Sequence, residues 1–144
     1  MEKEEEVSKK IQERYALLQQ IKTESENVQR KLLELEFARS ELDKTIETLE
    51  FLDKLDNRPI EGLMNLGSGV YAYADVKNTG KVLINVGAGV IIEKNIKDAI
   101  EFAKKRVELI KDAMVRFEGA LQRLLEEAEK VQNEINELAK QIKK

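Results

Sequence analysis

Residues 85–94 read NVGAGVIIEK, with Gly87 and Gly89 one residue apart after the apolar run that ends at Val86. A stretch of this kind cradles a phosphate when a helix follows it and turns a hairpin when a strand follows it. Here Val90, Ile91 and Ile92 follow, while Val82, Ile84 and Val86 alternate with Leu83 and Asn85 on the other side. Alternation with β-branched residues reads as strand, so the glycines read as a tight turn between two strands.

The motif also repeats, since Leu66-Gly67-Ser68-Gly69-Val70 returns as Val86-Gly87-Ala88-Gly89-Val90. Around the first copy Val70, Ala72, Ala74 and Val76 alternate with Tyr71, Tyr73 and Asp75. Four strands are therefore predicted, near 62–66, 69–76, 81–86 and 89–94, with Lys77-Asn78-Thr79-Gly80 as the turn between two hairpins. Six of the seven glycines fall in this segment.

The nucleotide reading fails on context. Gly67-Ser68-Gly69-Val70-Tyr71-Ala72 fits the loose G-x-G-x-x-G/A fingerprint, with Glu93 beyond it, but the fingerprint needs a helix where a strand is predicted. Gly80-Lys81 does not end a P-loop, because Val82 replaces the Ser or Thr and Asp75 stands where the first glycine belongs.

Outward from the hairpins, the pattern changes to steps of four and three. Val7, Ile11, Arg14, Leu18, Ile21, Ser25, Val28, Leu32, Leu35, Arg39, Leu42, Ile46 and Leu49 form one series, and ten of these thirteen are apolar. Ile100, Ala103, Val107, Ile110, Met114, Phe117, Leu121, Leu124, Ala128, Val131, Ile135, Leu138 and Ile142 form the other, all of them apolar. These are heptad seams. Their members pair so that residue numbers sum to 149 (7 + 142, 49 + 100), which predicts an antiparallel two-helix coiled coil about 60 Å long; a slip of one heptad would preserve the pattern. Arg14, Ser25 and Arg39 are expected to fix register.

The first helix should stop near Asp56-Asn57-Arg58-Pro59, since Pro59 disfavours helix before it and Asn57 tolerates a left-handed cap. The second should start after Asn95, an N-cap with Asp98 three residues on. The expected divisions are 1–55, a helix; 56–94, two hairpins; and 95–144, a helix. The fold class is α+β, and the charge balance of the arms favours their pairing weakly, with 14 acids and 10 bases in 1–55 against 10 and 11 in 95–144.

Four short strands cannot bury two apolar faces alone, so the hairpins need other chains. Leu66, Val70, Tyr71, Tyr73, Val82, Ile84, Val86, Val90 and Ile92 are the candidate subunit interface.

Composition narrows the chemistry. The 144 residues contain no Cys and no His, which excludes thiol and Ser/His/Asp nucleophiles and the common zinc sites. A net charge of -3 and an aromatic content of 5% give no reason to expect a nucleic-acid partner, and no cofactor is expected. Carboxylates at helical spacing such as Glu126 and Glu129 read as a solvated face before they read as a cation site. The acidic start, MEKEEEVSKK, is unlike a secretory signal, and the apolar runs are too short to span a membrane, so a cytoplasmic protein that is not an enzyme is expected.

The middle segment holds Leu66-Gly67-Ser68-Gly69-Val70-Tyr71, Lys81-Val82-Leu83-Ile84-Asn85-Val86-Gly87-Ala88-Gly89 and Glu93-Lys94, followed by a helix carrying Ala99. In this combination of motifs it resembles the α-type subunits of the prefoldin family in their archaeal form. The likeness implies a co-chaperone. It implies a hexamer of two α-type and four β-type subunits whose strands form a double β-barrel platform, with α-type subunits in contact with each other. It also implies arm ends that hold unfolded protein clients without nucleotide and pass them to a group II chaperonin. Fraying of the arm ends would expose Val7, Ile11, Leu18, Val131, Ile135, Leu138 and Ile142, the candidate client-binding residues. A rival reading is a scaffold or filament built through the hairpins.

Overall fold

The computed structural model of the chain describes residues 2–142. The elements run in the order α1 (Glu2–Lys54), β1 (Ile60–Gly67), β2 (Val70–Val76), β3 (Lys81–Gly87), β4 (Val90–Asn95) and α2 (Ile96–Ile142). The two long helices and the two hairpins between them are those expected from the heptads and the glycine repeat.

Each boundary has a local cause. At the end of α1 the backbone tightens, with Leu55 and Asp56 donating to the carbonyls three residues back at 3.1 and 3.3 Å. Asp56 and Asn57 then both adopt positive φ, 50° and 64°. The cap is thus two left-handed residues long, one more than the sequence suggested, and Arg58 closes it by donating from Nε to the Leu55 carbonyl at 2.8 Å. Asn95 caps α2, its Oδ1 accepting from the Asp98 amide at 2.8 Å.

Both hairpins are antiparallel two-stranded sheets with the same turn. Ser68 and Gly69 have φ of 49° and 79°, and Ala88 and Gly89 have φ of 51° and 76°, so both central residues of each turn are left-handed, as a primed hairpin turn requires. A bulge before each turn puts Gly67 and Gly87 at φ 102° and 113°, where a side chain would be strained. Asn65 and Asn85 hold these bulges by accepting from the Gly67 and Gly87 amides at 2.8 and 2.9 Å.

The chain packs as two compact units. One comprises Met1–Phe37 with Lys111–Lys144, and the other comprises Ala38–Ile110. The first is an antiparallel pair of helical segments cored by Ile21, Val131 and Ile135, with Ile11, Leu17, Leu18, Leu124 and Ala128 packed against them.

In the second, Leu49, Ile96, Ala99 and Ala103 form the core, and Leu42, Ile46, Leu52, Val82, Ile84 and Ile100 pack on it. Leu49 lying among residues 96 to 103 fixes the register in this unit: a one-heptad slip would have set it against Glu93, in β4, or Val107. The link between the hairpins is stitched to both helix ends. Thr79 is buried and donates from Oγ1 to the Arg58 carbonyl at 2.8 Å, and the Ile96 amide donates to the Gly80 carbonyl at 2.9 Å.

Among the described residues, no helix is long and apolar enough to cross a membrane.

Candidate functional site

The residues expected to meet clients all lie in the unit that holds the chain ends. Val131 and Ile135 are buried there, each about 3% exposed, whereas Val7, Ile11, Leu18 and Leu138 are half-buried and Ile142 is 41% exposed. Burial therefore falls off toward the ends of the seam. A seam closed at Val131 and Ile135 offers those two side chains to a client only after the helices part.

The polar members of the series behave individually. Arg14 leaves the seam and pairs with Glu134 on the other helix at 3.0 Å, both side chains nearly half exposed. It lines a shallow groove with Lys10, Lys130, Glu134 and Leu138. Ser25 stays buried and donates to its own helix, to the Ile21 carbonyl at 2.9 Å, so its hydroxyl bonds within α1 rather than across the seam.

In the other unit the hairpins present apolar side chains to the outside. Direct cross-strand partners share a face, so Leu63 and Tyr73 stand together, as do Asn65 and Tyr71. Tyr73 is 94% exposed, and Leu63, Tyr71, Leu66 and Val70 are also exposed. Val86 and Val90 are exposed beside the second turn.

The second hairpin has a sidedness that the sequence did not reveal. Val82 and Ile84 face the helix core with their partners Lys94 and Ile92, while the opposite face carries Leu83 and Ile91, exposed by 71% and 61%. Leu83 and Ile91, absent from the expected interface, are thus its most exposed apolar side chains. The hairpin is fastened to α2 by Arg106, whose Nη2 donates to the Asn85 carbonyl at 3.1 Å while its guanidinium stacks on Phe102 at 4.4 Å.

The Gly67-Ser68-Gly69 and Gly87-Ala88-Gly89 loops run strand to strand, so neither presents a helix N-terminus to a phosphate. Among the described residues no three acidic side chains are grouped to hold a metal ion, and Glu126 accepts a hydrogen bond from Gln122 at 3.4 Å.

Comparison with known proteins gives a consistent picture. The family described as Prefoldin subunit matches residues 21–141. A prefoldin subunit alpha of Archaeoglobus fulgidus is 44% identical over 127 residues, covering 88% of this chain and 92% of that one. The prefoldin subunit alpha of Methanocorpusculum labreanum is 33% identical over 107 residues, covering 74% and 72%. Among solved structures, a chain of filamentous PFD from Methanocaldococcus jannaschii, determined by cryo-EM, has the same fold, with a TM-score of 0.69 at 19% identity over 81% of this chain and 95% of that one.

Proposed function

The chain belongs to the prefoldin family, among its archaeal-type alpha subunits, and from that premise we propose that it is an ATP-independent holdase subunit whose helix ends grip unfolded proteins. Membership supports a chaperone-type function. The observation that carries the finer reading is the gradient of burial along the terminal seam, from Ile135 at 3% to Ile142 at 41%. Apolar side chains repeated at heptad spacing and progressively uncovered offer an extended client several weak contacts. Each buries at most about 1.5–3 kcal/mol worth of side chain, so useful affinity comes from several arms acting together, and release stays easy.

In this reading Val7, Ile11, Leu18, Val131, Ile135, Leu138 and Ile142 touch the client. The outward hairpin surfaces, Leu66, Val70, Tyr71, Tyr73, Val86 and Val90 with Leu83 and Ile91, join β-type subunits and a second alpha chain in a hexameric platform. The assembly works in the cytoplasm, without cofactor or catalysis, and hands its client to a group II chaperonin. The hairpin edges also favour a second reading, a filament formed by onward pairing of this chain; the fold is shared with a filamentous PFD.

The test is light scattering from a chemically unfolded client diluted into the assembly with β-type subunits. Full-length chain should suppress aggregation without nucleotide. A version lacking residues 1–17 and 132–144, assembled to the same mass, should not. Equal suppression by both removes the helix ends from the mechanism, and a mass that grows with concentration favours the filament.

A further inference from the structure

The two hairpins share a turn but differ on the equivalent faces that carry Leu83 and Ile91 in one and Leu63 and Tyr73 in the other. On β3–β4 the charge is internally balanced, because Lys81 reaches Glu93 at 3.5 Å beside the exposed Leu83 and Ile91. On β1–β2 the corresponding face carries Glu61 and Asp75 directly opposite each other in the ladder, next to the Leu63–Tyr73 pair. Glu61, Tyr73 and Asp75 line one shallow depression there. Neither carboxylate makes an ion pair among the described residues.

Like charges directly opposed across an antiparallel pair destabilise it. An exposed apolar strip ending in such a pair is poorly suited to cover itself with a second copy in register, since that would bring four carboxylates together. The β3–β4 face of another copy is a poorer match, because its Lys81 comes with Glu93 at 3.5 Å, so docking there would set three carboxylates around one lysine. A strand with an apolar side chain for Leu63 and Tyr73 and a free lysine or arginine for the two acids satisfies both requirements.

We propose that the face of β1–β2 bearing Leu63 and Tyr73 is a docking surface for a base-bearing strand of a different subunit, and that Glu61 and Asp75 select that partner against a second copy of this chain. The proposal rests on the reading of the hairpins as an assembly platform and names the chemistry of one of its contacts. It also gives the acid pair a role that the isolated chain does not explain: unfavourable in the free subunit, favourable in the complex.

The experiment compares full-length wild type with Glu61→Gln/Asp75→Asn, using a purified archaeal β-type prefoldin subunit as probe. The amides keep the shape of both side chains. Thermal unfolding of the free variant should be no lower than wild type, its self-association in multi-angle light scattering should increase, and its binding to the probe at low salt should weaken about tenfold, equivalent to about 1.4 kcal/mol. The difference should shrink at about 1 M salt, where the Debye length is about 3 Å. Equal binding of wild type and variant at low salt, or a free variant that is less stable, overturns the proposal. A wild-type chain that does not bind the probe at all refutes the platform reading itself, and the proposal falls with it.

Discussion

Arg14→Leu should tighten the end of the coiled coil. Arg14 occupies a seam position, but its guanidinium lies outside the seam, paired with Glu134 at 3.0 Å with the two side chains 46% and 44% exposed. A pair that open to water contributes roughly 0–1 kcal/mol. A leucine there is flanked by Ile11 and Leu18 on its own helix and can pack toward the buried Ile135. Burying about half of a leucine side chain contributes roughly 0.75–1.5 kcal/mol, from a full-burial range of about 1.5–3. Glu134 loses its partner but remains hydrated, so the middle of each range, about 1.1 gained against about 0.5 lost, leaves a net gain of about 0.6 kcal/mol.

If the helix ends open by local fraying, that gain slows amide exchange there by about two- to threefold, since 1.4 kcal/mol is a factor of ten. Hydrogen exchange read by mass spectrometry should show slower exchange in peptides from residues 2–20 and 130–142, with little change in peptides from the hairpins. Faster or unchanged exchange at the ends would refute the view that Arg14 sits at the boundary between a closed seam and a loosened one.

Other predictions test the elements separately. Asn95→Ala removes the oxygen that accepts from the Asp98 amide and should lower stability in urea by about 1 kcal/mol. Gly87→Ala meets no steric contact but forces a side chain onto φ 113°, so the thermal midpoint should fall by the equivalent of roughly 1–3 kcal/mol, whereas Gly119→Ala, in open space on α2, should raise stability by about 1 kcal/mol. Leu83→Lys changes an exposed side chain directly opposite Glu93 and should leave the circular dichroism of the free chain unchanged while abolishing its assembly with β-type subunits; unimpaired assembly would place the contact on another face.

The sequence disclosed whatever is decided locally. The four-three steps, the Asn95 cap and the glycine repeat each specify a conformation within a few residues, and the helices and hairpins form where those signals stand. It was silent wherever the outcome depends on which of two equivalent faces meets the rest of the chain. Val82 and Leu83 are both apolar strand residues, and period two alone does not say which turns toward Leu49 and Ala99; the structure turns Val82 inward and leaves Leu83 exposed. The same holds in the seam, where heptad position places Arg14 inside, but a long cationic side chain reaches water and Glu134 instead. Ser25, at an equivalent position, is small enough to stay and bond its own backbone. On α1, Leu33 and Phe37 lie off the heptad series and are exposed, by 72% and 70%, so hydrophobicity by itself would have misplaced the seam.

Those two exposed residues supply the control for the proposal that clients are held by the seam ends and not by whichever apolar side chain is open to water. A photo-crosslinking amino acid would be placed singly at Val7, Leu138, Leu33 and Phe37 in the full assembly, and each variant illuminated with a chemically unfolded client. Client adducts are expected from Val7 and Leu138 and few from Leu33 and Phe37, despite the greater exposure of the latter pair. Adducts mainly from Leu33 and Phe37 would contradict the proposal.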